Sequence, residues 1–345
     1  MRRPAAVAKP ARLGWKAPTL AVAAVAAVGL AGLLTGAAPL GAAQVLAALA
    51  DSLPLIEADH GLTDTQIGIL FDIRFPRVVL GAMVGAVLAL AGTSYQGVFR
   101  NPLADPYLLG VAAGAGLGAT AALAFSANRG LVALFAFIGG LAAVGAAYVL
   151  GRSVGGRAVT SLILAGVAVA AFAGAVQTYL LQRNAETLRE VYAWILGRLT
   201  TVGWSEVLTL LPYVVVSAVV LPAGGRLLDV LSVGDEEAAA LGINVARVRG
   251  AVVVVATLAT AAAVSVSGLI GFVGIIVPHG ARLLFGWSYR VITPLSALFG
   301  AAFLMAADIA ARTVAAPAEL PIGVVTAFLG APFFVLVLRT TGRSR

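Results

Sequence analysis

The chain has 345 residues, 61% hydrophobic and only 11% charged, where a water-soluble domain keeps roughly a quarter of its residues charged. Its mean hydropathy of +1.01 places most of it in lipid. The lack of cysteine excludes disulfides, thiolate metal sites and cysteine nucleophiles, and the net charge of +8 turns attention to which side of a membrane the positive residues occupy rather than to nucleic acid.

Residues 1–16 form a basic tail with Arg2, Arg3, Lys9, Arg12 and Lys16. The apolar run at 17–41 exceeds the about 7–15 residues of a signal-peptide core and reads as a retained first span. Residues 51–73 carry Asp51, Glu57, Asp59, Asp64 and Asp72 with no Lys or Arg, which reads as an outside loop. Further apolar runs lie near 76–97, 106–126, 131–151, 159–181, 204–223, 250–266, 269–285, 292–312 and 320–338, making ten spans. Alternation from an inside N-terminus leaves 16 of the 23 Lys and Arg inside. Arg74, Arg77, Arg129, Arg183, Arg189, Arg198 and Arg312 fall outside with ten of the 15 acidic residues, and the positive-inside rule supports that count. The expected fold class is an all-α polytopic membrane protein with ten transmembrane helices. It comprises a single domain at 17–340, a short tail at 341–345 and both termini in the cytoplasm.

Gly110, Gly114 and Gly118 recur every four residues, a spacing that lets helix backbones approach closely in lipid. The GAGLG within that stretch lacks both a preceding strand and a following lysine, so packing is favoured over phosphate binding. Gly92 and Pro102 find counterparts 176 positions on in Gly268 and Pro278, a weak echo of an inverted repeat. Two spans are broken by proline and polar residues: QGVFRNPLADPYLLG at Arg100, Asn101, Pro102, Asp105 and Pro106, and GLIGFVGIIVPHGARLLFG at Pro278, His279 and Arg282. Ordinary cytoplasmic turns and a gated pathway both fit such breaks.

The two histidines, His60 and His279, form no HExxH, which excludes a zinc protease. A serine dyad would need Ser265 or Ser267 to meet His279, and His279 reads instead as a helix-end hydrogen-bonding residue. An ion-coupled carrier would need an intramembrane acid, for which Asp105, Asp308 and Glu319 are the candidates. An ATP-driven carrier would need a phosphate-loop lysine, and both lysines lie in the N-terminal tail, so any ATPase is a separate subunit. The longest inside loop, 225–250, offers that subunit a handle. Asp235, Glu236 and Glu237 open a short Ala-rich helix at its positive end, Gly242 stops it, and Arg247 and Arg249 follow. A solvated connecting helix and a helix docked in a motor subunit are the two readings.

The runs RFPRVVLGAMVGAVLALAGTSYQGVFRNPLADPYLLGVAAGAGLGA, EEAAALGINVARVRG, GLIGFVGIIVPHGARLLFG and AELPIGVVTAFLGAPFF, in this order, resemble the FecCD family of permeases in type II ABC importers, over about 17–340. The resemblance implies a permease that imports an iron-siderophore, haem or cobalamin across the bacterial inner membrane. It works as a homodimer with 20 helices, without enzymatic activity or a cofactor or metal of its own. Two copies of a partner ATPase bind ATP and Mg, and a periplasmic or lipid-anchored substrate-binding protein delivers the cargo. Arg74, Arg77 and Arg312 match the family's arginines that dock the binding protein; the alternative is interface anchoring or pairing with Asp72 and Asp308. Asp235, Glu236, Glu237, Leu241, Gly242, Arg247 and Arg249 match its coupling to the ATPase. Asn101 and Leu103 match positions that narrow the pathway, and Thr160 and Ser161 lie near a second constriction.

Overall fold

The structure, a computed structural model, describes residues 14–54, 56–125, 129–153 and 158–342. Fourteen α-helices and no strand occur among them: α1 (Lys16–Leu34), α2 (Ala42–Asp51), α3 (Asp64–Phe99), α4 (Val111–Ala124), α5 (Arg129–Ser153), α6 (Ala158–Arg183), α7 (Leu188–Ile195), α8 (Ser205–Ala223), α9 (Gly225–Val233), α10 (Asp235–Ala240), α11 (Val245–Ser267), α12 (Val273–Phe285), α13 (Tyr289–Thr313) and α14 (Ile322–Gly342). Seven of them, α1, α3, α5, α6, α8, α11 and α13, are long and apolar enough to cross a membrane. The expected spans at 106–126, 269–285 and 320–338 coincide with the shorter apolar helices α4, α12 and α14. The protein is a multi-pass membrane protein.

Helix α3 is the axis of the bundle, packed by α13, α11, α12 and α8. Lipid supplies no hydrophobic drive between apolar helices, so close backbone approach does that work. Gly85 and Gly300 lie face to face where α3 crosses α13, and a Cβ on Gly85 would stand 2.8 Å from the Leu304 Cβ. Gly92 meets Gly274 of α12 in the same manner, with a Cβ there reaching to 2.5 Å from the Gly274 Cα. Gly114 and Gly118 face the backbone of α5, as their spacing suggests. Gly110 approaches a different helix: at φ 84° it ends the 3₁₀ turn Pro106–Leu109, and a Cβ there would stand 3.3 Å from the Gly166 carbonyl oxygen of α6.

Several boundaries differ from the sequence expectation. The first span ends at Leu34 because residues 35–41 leave the helix, and arginines from elsewhere take the carbonyls of Thr35 and Ala38. The outside loop at 51–73 is helical from Asp64, running through a π-helical stretch (Ile69–Arg74) into α3. The inside loop at 225–250 is two short helices, and Arg247 and Arg249 stand in the first turns of α11. Gly92 and Gly268 are not equivalent positions. Gly92 packs inside a helix, whereas Gly268 at φ 69° ends α11.

Candidate functional site

The polar residues gather at two ends of the bundle and at one junction between them. Arg77, 13 residues into α3, and Arg100, the residue just past its end, are 23 residues apart, which at about 1.5 Å per residue is about 34 Å, close to the about 30 Å of a bilayer core.

At the Arg77 end three arginines converge. Arg74 is buried, and its two terminal nitrogens donate to the carbonyls of Leu33, at 2.9 Å, and Ala38. Arg77 donates through Nε and Nη2 to Asp308 at 3.0 and 2.9 Å, and through Nη1 and Nη2 to Glu319 at 3.0 and 2.9 Å. Arg312 pairs with the other oxygen of Asp308 at 3.0 Å and donates to the carbonyls of Thr35 and Gly32. The carbonyls of Gly32, Leu33 and Thr35 are among the groups left over where α1 ends, so Arg74 and Arg312 cap that helix, while Ala38 lies beyond it. Asp72, the other acid offered as a partner, is exposed, and none of the three arginines pairs with it among the described ion pairs. The cluster lines a pocket of about 420 Å³.

The two broken spans meet each other. Gln96 donates from Nε2 to the carbonyls of Gly274 at 2.9 Å and Ala104 at 3.3 Å. The Tyr107 hydroxyl donates to the Ile270 carbonyl at 2.9 Å and accepts from the Ile270 amide at 3.1 Å. Backbone groups freed by the two breaks thus find partners inside the protein, as membrane depth requires. Asn101 folds the loop locally, its Oδ1 accepting from the Leu103 amide at 3.0 Å, while Arg100 before it has φ 51°. Thr160 and Ser161 lie in the first turn of α6, six and five residues before the Gly166 that abuts Leu108 and Leu109. No hydrogen bond joins them to Asn101 or Leu103 among the described residues. His279 lies in mid-helix with its ring edge on Phe333, and its Nδ1 has no hydrogen-bond partner, so it is a packing residue rather than a helix-end hydrogen-bonding one.

At the Arg100 end the acidic run does open α10, and Gly242 at φ 79° closes it. Ala238 is fully buried and pins the helix, whereas Glu236, Glu237, Leu241 and Arg247 are exposed. Asp235 accepts from Arg249 Nη2 at 3.0 and 3.2 Å and lies 3.5 Å from Arg100. Sequence reasoning missed Asp229. Its carboxylate accepts from Ser288 Oγ at 2.8 Å and from the Tyr289 amide at 2.5 Å, capping α13 from 60 residues away. No local pattern announces a cap supplied by another helix.

Of the three acids an ion-coupled carrier would use, Asp308 and Glu319 are committed to arginines, and Asp105 caps its own turn through the Tyr107 amide at 2.8 Å.

Residues 24–340 match the FecCD transport family. The chain belongs to that family. It is 45% identical over 280 residues to the cobalamin import system permease protein of Halobacterium salinarum, covering 81% of this chain and 75% of that one. It is 41% identical over 287 residues to the hemin transport system permease protein of Yersinia pestis, covering 80% and 85%. The Fe(3+) dicitrate permease protein of Escherichia coli is 36% identical over 284 residues, covering 80% and 88%. A solved metal-chelate type ABC transporter in an inward-facing conformation superposes with a TM-score of 0.82 at 27% identity, over 94% of this chain and 99% of that one. As a FecCD member the chain is a permease component of an ABC importer, a class in which a separate subunit hydrolyses ATP.

Proposed function

We propose that this FecCD chain carries a metal chelate, an iron-siderophore, haem or cobalamin, across the bacterial inner membrane as a homodimer of ten-span subunits. The observation that carries this reading is the superposition on a metal-chelate transporter over nearly the whole chain. ATP and Mg belong to two copies of a partner ATPase, and the chain itself needs no cofactor.

The α10 end faces the cytoplasm in this reading, together with both termini. An exposed Leu241, with exposed Glu236, Glu237 and Arg247 in the same segment, suits a groove in the ATPase, where an apolar residue anchors and charges set register. Closing of the two ATPases moves the α10 helices, and Asp235 and Gly242 keep each helix short and fixed to its own bundle. Asn101, Leu103, Thr160 and Ser161 narrow the inner end of the pathway.

The arginine end faces outward, where the positive-inside rule disfavours it, and there a substrate-binding protein with acidic side chains docks. Arg77 and Arg312 supply the charge. Arg74, buried against carbonyls, acts by shaping the rim.

The test is uptake into proteoliposomes holding this chain with its ATPase and binding protein, offered labelled haem, cobalamin and a ferric siderophore in turn. Uptake of one cargo that stops without the ATPase supports the reading. Uptake driven by an ion gradient in the absence of ATP would replace it with an ion-coupled carrier.

A further inference from the structure

Arg77 is gripped by two carboxylates in unlike settings. Asp308 has a side chain 4% exposed and is shared with Arg312, so it belongs to the interior. Glu319 has a side chain 46% exposed and sits on the connection at 314–321, at the mouth of the pocket that also holds Arg74 and Arg312. Turning the Glu319 side chain outward would leave Arg77 neutralised by Asp308 through Nε and one hydrogen of Nη2. Nη1 and the other hydrogen of Nη2, the two donors that hold Glu319, would then be open to the pocket, a fork that fits one carboxylate in bidentate fashion. The pocket's charge changes accordingly. Three guanidinium groups against two carboxylates leave +1, and without Glu319 the balance is +2.

We propose that Glu319 is an internal stand-in for the carboxylate of the docking partner. It fills the outer fork of Arg77 while the permease is alone and is displaced by an acidic side chain of the substrate-binding protein. This rests on the docking reading given above. Because the exchange swaps one carboxylate for another, it conserves the ion pairing of Arg77 and keeps docking weak enough to reverse. A site whose competent form is only part of the population binds more weakly by that fraction.

The experiment uses the permease–ATPase complex in nanodiscs and measures affinity for the substrate-binding protein of the same importer. Glu319→Gln is expected to tighten docking about fivefold, the weight of an exposed ion pair that no longer competes. Arg77 keeps Asp308, so the variant retains its fold, and basal ATPase activity checks this. Asp72→Asn removes an equal charge from the same end without touching Arg77 and is expected to leave affinity unchanged. Equal tightening by both variants would mean diffuse charge alone and overturns the proposal, as does no tightening by Glu319→Gln. Arg77→Gln separates the two levels. Unchanged affinity overturns the docking reading itself, whereas weakened affinity beside an unresponsive Glu319→Gln overturns only the stand-in.

Discussion

Arg100 and Asp235 lie 3.5 Å apart, joining the residue just past the end of α3 to the first residue of α10. Arg249 shares the same carboxylate at 3.0 Å, so one acid gathers the end of the central helix, the short α10 and the start of α11. Asn101, assigned to the inner constriction, is the next residue after Arg100. In the proposed function, a push on α10 therefore has a short route to the pathway.

Asp235→Asn is expected to weaken that route while sparing the fold. Partly exposed ion pairs stabilise by about 1 kcal/mol or less, so the unfolding temperature should barely move. ATP hydrolysis by the reconstituted complex persists, and cargo taken up per ATP falls. Measuring both rates on the same proteoliposomes decides it; a proportional loss of the two would remove Asp235 from coupling and make it a binding contact.

Asp308→Asn should have the opposite profile. The acid is buried between Arg77 and Arg312, and neutralising it leaves the buried Arg312 with carbonyls but no carboxylate and Arg77 with the half-exposed Glu319 alone, at a cost of about 3–5 kcal/mol. Thermal unfolding in detergent should show a large drop that added salt does not reproduce in the parent chain, because the pairs are shielded from solvent. A drop as small as that of Glu319→Gln would mean water reaches the cluster.

The sequence pattern revealed the order of the helices, the acidic opening of α10 and its Gly242 stop, because those signals are local. It also singled out the two broken spans, and it set Arg74, Arg77 and Arg312 among seven arginines expected on the disfavoured side, from which the family resemblance picked the three. It offered Asp308 as a partner for these arginines, and the structure pairs it with two of them, one 231 positions away, but it could not reveal that Arg74 is sealed against carbonyls of 33–38. Such pairings depend on how helices are arranged in space. Boundaries were missed for a related reason: in a uniformly apolar chain, hydropathy marks where lipid begins, while hydrogen bonding carries α11 five residues further, back to Val245, past the point where lipid ends.

Gly85→Val tests the backbone contact at the centre of the bundle. The new side chain would meet Gly300 and Leu304 of α13, neither of which is the free end of a flexible side chain. Overpacking of this kind costs about 1–3 kcal/mol and forces the helices apart. A lower unfolding temperature is expected, whereas Gly145→Ala, at a glycine with open space around it, should leave stability within about 0.5 kcal/mol. Equal behaviour of the two variants would mean that α3 and α13 can separate without penalty.

Tyr107→Phe probes the junction of the two breaks. The hydroxyl both donates to and accepts from Ile270, and removing it leaves a carbonyl and an amide at the break between α11 and α12 without that partner. The expected loss is about 1–3 kcal/mol. Gln96→Leu removes the companion bonds to Gly274 and Ala104 and should cost a similar amount. Since both side chains tie the 101–110 segment to the 268–274 segment, their effects share a structural unit. The double variant is expected to lose less stability than the sum of the single ones, by about 0.5 kcal/mol or more. A double-mutant cycle on unfolding temperature reads this directly. Strict additivity would show that the two breaks are held independently, and that the junction is two separate repairs of the backbone rather than one hinge.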